Sequence, residues 1–515
     1  MSRARRVLDA FAIGIFNQLL ITLVGLGVTR FTLHRIGSHD YGLWIISGQF
    51  FGYLALLDLG ITALLPREVA IVAGKPIDEQ ARESEMREVI GRSVSLVVLL
   101  LPPLALASLG IFLALPADWS VLRLPLAINL AIFVLTYPLR VASATLSGLQ
   151  DLAYLAWVQV VTWAIGTAAM VVLVAQHCGL LAVAIGPSLA QVLSSVACVV
   201  RLLSRYRRFV PRKIRWFDRA TMRAHALSGV TVTMAQIAQL LTNSTDALII
   251  GRLRGPEAVI TYSLTDKTQT LLNNQPYALA HLAGPALGGL KAAGDRPRLL
   301  RSLGALASVV LTASGGIFVA VVVTNHAFVR IWVGEEHFGG VLLTILLVAN
   351  MIARHWVFTY LQALFFFGRE RVTSLVVLLD GLITVGASIP LVHRFGAVGA
   401  PAGQLLGALL GEAPILLVLT ARELQCSVAA LLAKLAPWFV RFVPVATASI
   451  FAGAWLGGSS LFHVAIAGAA TALVYALVML PLARRPPLDT YALPYLRKVG
   501  LAPRATATTE ESASG

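Results

Sequence analysis

The chain has 515 residues, 57% of them hydrophobic and only 13% charged, where soluble domains carry about a quarter charged. That balance excludes a soluble enzyme core and points to an integral membrane protein. The formal charge of +16 invites a nucleic-acid partner, but 30 of the 41 Lys and Arg fall on every second connecting segment. This is the positive-inside bias and not a basic groove, so no nucleic acid is expected.

In chain order, apolar stretches long enough to cross ~30 Å of hydrocarbon as helices lie near 9–29, 43–65, 93–115, 126–147, 155–175, 181–203, 224–250, 257–279, 303–325, 340–362, 374–392, 398–419, 437–457 and 462–483. They lack the strict alternation of a membrane barrel. The expected fold is therefore all-α and polytopic, with about 14 transmembrane helices. The basic bias places both termini in the cytoplasm of a cell whose inner membrane holds the chain. The opening MSRARRVLDAFAIGIF has the charged flank of a signal peptide, but its apolar run is too long and lacks a small-residue cleavage site, so it reads as the first helix.

Residues 201–223, RLLSRYRRFVPRKIRWFDRATMR, carry nine basic residues midway along the chain. Ile214, Trp216, Phe217 and Met222 among those charges suit either a short helix on the anionic inner leaflet or a solvated linker. The tail ATATTEESASG is polar and expected to be disordered. Cys178, Cys198 and Cys426 have neither disulfide nor metal-ligand spacing.

The chain also repeats itself. Gly37 and Gly255 each close an apolar run, 218 positions apart. Gly148 and Gly368 sit at short polar breaks 220 apart, and Gly179 and Gly186 recur as Gly396 and Gly403, each 217 on. A duplicated set of membrane helices is the mark of a secondary-transporter scaffold. An even number of spans per repeat implies two pseudo-symmetric six-helix lobes related by an axis along the membrane normal, around a central cavity, with two further C-terminal helices. The expected organisation is an N-lobe over 1–205, a basic cytoplasmic linker over 206–223, a C-lobe over 224–420, helices 13 and 14 over 421–485, and a cytoplasmic tail over 486–515.

Ionisable groups inside apolar spans are costly and mark candidate function. On the seventh span, Gln236, Gln239, Asn243 and Asp246 share one helical stripe. The eighth carries Asp266, Lys267, Gln269, Asn273, Asn274 and Gln275, more polar groups than a lipid-facing helix holds. Both read as cavity lining, with interhelical hydrogen bonding as the alternative. The cations Arg140 and Arg354 lie in the fourth and tenth spans, equivalent helices of the two repeats. Each offers a fork suited to phosphate oxygens, or a partner to a buried acid such as Asp58 or Asp380. Arg30 stands at the outer end of the first span, to close a cavity or face water, and Arg441 can snorkel to the inner face. Asp58, Asp380 and Glu412 are candidate ion or proton sites, partners of arginine, or structural acids. His281 and His355 have no second ligand at helical spacing, so no metal is expected. No Walker loop, nucleophile elbow, CxxC or HExxH is present, so the chain reads as a non-enzyme with no cofactor.

Residues 17–70, with Ile36-Gly37, Tyr41-Gly42 and Leu57-Asp58-Leu59-Gly60, resemble the opening of polysaccharide-transporter proteins, the Wzx-type lipid-linked oligosaccharide flippases. TDALIIGRLRGPEAVITYSL (245–264) and RIWVGEEHFG (330–339) are similar to that family too. The wider superfamily includes the lipid II flippases and the multidrug and toxin extrusion proteins. The resemblance implies alternating access and a glycan on an undecaprenyl diphosphate carrier, turned between leaflets for cell-surface polysaccharides such as O-antigen and lipopolysaccharide. Substrate partners would be the lipid-linked glycan and membrane lipids, with H+ or Na+ as counter-ion and polysaccharide polymerase machinery nearby. Chemistry and depth, not the family motif, offer Arg140, Lys267, Arg354 and Arg30 to the diphosphate and Asp58 or Asp246 to the ion. A cation-coupled drug exporter on the same scaffold and a membrane polymerase or ligase are the alternatives. The former predicts a mainly acidic cavity and the latter a large outside loop.

Overall fold

The computed structural model describes residues 3–58, 61–211, 234, 236–242, 245–453 and 460–483, with the side chains of 3–19 and 61–63 excepted. Most of the basic linker, with Ile214, Trp216, Phe217 and Met222, lies outside those residues, as do Asn243 and the tail. Among the described residues there is no strand. The first half holds α1 (Arg3–Ile36), α2 (Ser38–Ala55), α3 (Ile61–Gly74), α4 (Glu79–Leu113), α5 (Arg123–Thr136), α6 (Arg140–Gly148), α7 (Leu152–Ala175) and α8 (Leu180–Arg205). The second holds α9 (Asp246–Arg254), α10 (Pro256–Leu272), α11 (Asn274–Ala292), α12 (Arg296–Trp332), α13 (Val341–Phe366), α14 (Glu370–Phe395), α15 (Gly399–Leu406), α16 (Ala413–Leu424), α17 (Val428–Ala433), α18 (Ala436–Gly453) and α19 (Leu461–Ala483).

Nine helical stretches among the described residues are long and apolar enough to cross a membrane. One of them, Glu370–Leu424, runs for 55 residues, well beyond the ~20 that one crossing takes. Gly396 turns the chain midway at a φ of +69°, and Gly399 then brings its backbone against that of Leu391 and Val392. The second span drawn from the sequence is interrupted by a 3-10 turn at Leu56–Asp58. The eighth is divided at Asn273, between α10 and α11. Their apolar faces suit lipid: on α4, Leu99, Leu106, Leu109 and Leu113 all point outward and exposed, an arrangement that water would penalise.

The internal repeat is present in the backbone. Gly37 and Gly255 adopt φ of +90° and +91°, and Gly179 and Gly396 adopt +55° and +69°. The third pair differs from the glycine spacing: the partner of Gly368 (φ +80°) is Gln150 (φ +58°), 218 positions earlier. Gly148 instead ends α6 against α3, where a Cβ would stand 2.6 Å from the Pro66 carbonyl oxygen. Gly148 stands at the polar break but is kept there for close approach, while the turn itself falls to Gln150. Close approaches repeat as well. A Cβ on Gly186 would lie 2.6 Å from that of Met170, and one on Gly403 would lie 2.7 Å from the backbone nitrogen of Ser388, 218 beyond Met170. Small residues of this kind let membrane helices approach backbone to backbone.

The chain divides into two compact units, Met1–Ser263 with Val377–Gly403, and Leu264–Val376 with Gln404–Gly515. These boundaries cut across the two repeats. In the first unit α7 packs along α8, and α5 and α6 pack on α8. In the second, α18 and α19 both lie on α12. Trp438 stacks on Phe442 with centroids 4.4 Å apart and donates from Nε1 to the Tyr475 hydroxyl at 3.0 Å. Gly315 and Gly316 of α12 leave room for that tyrosine ring.

Candidate functional site

Breaks in helices are where membrane transporters free backbone groups for polar work. Three breaks here carry ionisable residues. The 3-10 turn Leu56–Asp58 ends on Asp58, the 3-10 turn Tyr137–Leu139 precedes Arg140, and the π-turn Gly407–Glu412 ends on Glu412. Pro138 accounts for the second, since it lacks a donor to the preceding turn. The π-turn follows a pattern seen repeatedly at functional sites.

In the first unit, the Arg140 guanidinium lies 4.4 Å from the Phe133 ring centroid and 5.7 Å from that of Tyr137. The Tyr137 hydroxyl donates to Asp58 Oδ1 at 3.3 Å, and both residues are buried. Aromatic faces attract a desolvated cation without neutralising it. Arg140 thus keeps its positive charge beside rings, with the nearest of the sequence-named acids, Asp58, linked through a phenol.

The stripe on the seventh span is only partly brought together. Gln239 is exposed, whereas Gln236 is half-buried, and its Oε1 is enclosed with no hydrogen-bond partner among the described residues. Asp246 is buried and accepts from the Tyr262 hydroxyl on α10 at 2.8 Å. Asp380, fully buried on α14, accepts from Thr242 at 3.2 Å and Thr384 at 3.3 Å. Arg30 is exposed on α1.

The second unit holds a different set. Arg354 is buried on α13, with Nη1 3.5 Å from Glu412 Oε2 and Nη2 donating to the Gln404 carbonyl at 3.1 Å. Of the alternatives open from sequence, its acid is thus Glu412. Residue 354 lies 218 beyond Thr136, so Arg140 and Arg354 occupy equivalent helices one turn apart. Asp266 accepts from Thr270 at 2.7 Å, while half-buried Lys267 makes no hydrogen bond or ion pair among the described residues. Asn273 is half-buried at the break, and its carbonyl accepts from His355 Nε2 at 3.0 Å. His355 Nδ1 meets the Ser314 hydroxyl at 2.8 Å, so both ring nitrogens have partners and the side chain serves structure.

Sequence reasoning missed Asn325, fully buried on α12. Its amide donates to the Thr265 carbonyl at 2.9 Å and to Thr344 Oγ1 at 3.0 Å, and its oxygen accepts from Thr268 at 2.7 Å. A lone Asn amid VVVTNHAF gave the only signal. Among the described residues no three His, Cys, Asp or Glu side chains converge as metal ligands.

The arrangement sets a guanidinium on ring faces in the first unit and encloses carboxylates in both. The fold is one already known. The structure is similar to one described as "Lipid II flippase MurJ, inward closed conformation", at 12% identity and TM-score 0.62, covering 93% of this chain and all of that one. It is also similar to an inward-facing multidrug resistance MATE family transporter of the MOP superfamily, at 15% identity and TM-score 0.59, covering 80% and 94%. An outward-facing MATE transporter matches at 14% identity and TM-score 0.51, covering 83% and 96%. No curated protein matches the chain. The family model described as polysaccharide biosynthesis protein matches residues 8–283, more than half of the chain, which therefore belongs to that family.

Proposed function

We propose that this protein is a flippase that turns an undecaprenyl-diphosphate-linked oligosaccharide across the cytoplasmic membrane by alternating access, for assembly of a cell-surface polysaccharide. The observation that carries the reading is Arg140: a half-buried guanidinium held by rings at a break between apolar helices, in a chain of the polysaccharide biosynthesis family. A diphosphate is the component of such a substrate that calls for a bidentate cation. Lys267 offers a second positive charge, whereas Arg354 is largely committed to Glu412 and serves chiefly to fix the π-turn. The fourteen-span, two-lobed architecture with both termini in the cytoplasm belongs to this reading, as does a counter-ion taken at Asp58 or Asp246.

Four buried carboxylates, Asp58, Asp246, Asp380 and Glu412, favour a second reading, cation-coupled export of a small amphipathic molecule on the same scaffold. Complementation separates the two. A strain lacking the gene should lose surface glycan, regain it with the wild-type chain, and fail to regain it with Arg140→Ala at equal membrane abundance. Unchanged surface glycan in the deletion strain, together with raised drug sensitivity, would replace the flippase by the exporter.

A further inference from the structure

The two glycines that close the first loop of each repeat, Gly37 and Gly255, are each followed two residues on by an ionisable side chain, His39 and Glu257. These two, 218 positions apart like the glycines, meet each other: His39 Nδ1 lies 2.7 Å from Glu257 Oε1. Both are about half exposed. We propose that His39 and Glu257 form a proton-sensitive latch that holds together the outer ends of the two repeats, closing more firmly as the outside becomes acidic.

The surroundings favour a latch over a chance surface contact. Beneath the pair, Gly42 of α2 lies so close to the Pro256 carbonyl that a Cβ could not be accommodated, and Ile46 of α2 packs over Gly251 of α9. The backbones therefore meet there before the side chains do. Glu257 stands in the first turn of α10, where the helix dipole favours an anion. An imidazole is the side chain whose charge ordinarily changes between about pH 5 and 8. Protonation turns a hydrogen bond from a neutral imidazole to a carboxylate into an ion pair, so the closed arrangement gains as pH falls.

Other charged groups stand on the elements packed here. They are His34 and Arg35 on α1, Asp40 on α2, Asp118 in the turn Ala117–Leu122, Arg123 on α5, Arg252 and Arg254 on α9, and His393 and Arg394 ending α14. Arg254 donates to the Val392 carbonyl at 3.1 Å and also to that of His393. It is thereby occupied away from the pair. His34, on α1 beside the loop, is the imidazole that a test must separate from His39.

The inference rests on the transporter reading only in supposing that the two ends separate, and its test needs no substrate. Spin labels on Val121→Cys and Leu253→Cys, with the three native cysteines replaced, report the separation of the outer ends in lipid nanodiscs. A short distance should dominate at pH 5.5, and a longer population should rise by up to about fivefold at pH 8, the most that an exposed pair yields. His39→Gln and Glu257→Gln should each abolish that response, His39→Lys should hold the short distance at both pH values, and His34→Gln should leave the response intact. The same distribution at both pH values in the parent, or a response lost with His34→Gln but kept with His39→Gln, would overturn the latch.

Discussion

Arg140 and Arg354 pose the same problem on equivalent helices, and the two repeats solve it differently. Arg354 is met by a carboxylate from a π-turn and a carbonyl from the helix just before it, so its charge is matched where it stands. Arg140 rests on two aromatic rings, and the acid in its neighbourhood, Asp58, is engaged by the Tyr137 hydroxyl. The difference teaches that depth alone does not mark a ligand site. An ion matched by a carboxylate holds structure, while one resting on ring faces is the candidate to meet an anion.

The largest effect that would break this comparison lies at the matched pair. Removing one member of a buried ion pair costs about 3–5 kcal/mol, because the other charge is left without its partner. Glu412→Gln and Arg354→Gln should each lower membrane abundance and thermal stability sharply, and the double variant should recover much of both. The check is fluorescence-detected size-exclusion chromatography with thermal challenge. A double variant no better than either single one would show that the two groups act independently.

Next in size comes Arg140, where function and stability should part. Losing a desolvated cation–π contact costs about 2 kcal/mol, less than breaking the ion pair, so Arg140→Met should remain abundant while complementation of surface glycan fails. Arg140→Lys keeps charge and loses the fork, and should restore part of the activity. If Arg140→Met instead lost protein in proportion to activity, both arginines would be structural and the contrast would vanish.

Much of this was legible in the sequence, and the failures have physical causes. The helices were readable because ~20-residue apolar runs admit little else in lipid. The repeat was readable because turns that need positive φ select glycine, as at Gly37, Gly179, Gly255 and Gly396. Its offset drifts to 220 at Gly148 because close packing selects glycine as well, while the turn falls to Gln150, a residue that carries no such signal. The break at Tyr137–Leu139 was announced by Pro138; that at Leu56–Asp58 has no proline or glycine within it. Glu412 as the partner of Arg354 depends on helix rotation and on the extra residue of a π-turn, neither of which spacing alone records. The cavity stripe was legible as polarity, but the side to which each group turns was not: Gln239 is exposed and Asp246 is bound to Tyr262.

The smallest expected effect sharpens the comparison most, because it changes one oxygen. Tyr137→Phe keeps the ring under Arg140 and deletes the hydroxyl that engages Asp58. A hydrogen bond to a charged acceptor contributes about 1.5–3 kcal/mol, and at 3.3 Å the lower end applies. The protein should therefore stay folded, with its thermal midpoint lowered by a few degrees. What changes is the freedom of Asp58. With one of its partners gone, the carboxylate is held less firmly away from the guanidinium, and a closer approach would make the first repeat resemble the second. If Arg140 serves an anionic substrate, Tyr137→Phe should then reduce complementation several-fold without loss of protein, and Tyr137→Phe with Asp58→Asn should recover part of it. A Tyr137→Phe variant with full activity would mean that the phenol is not what keeps Asp58 from the arginine.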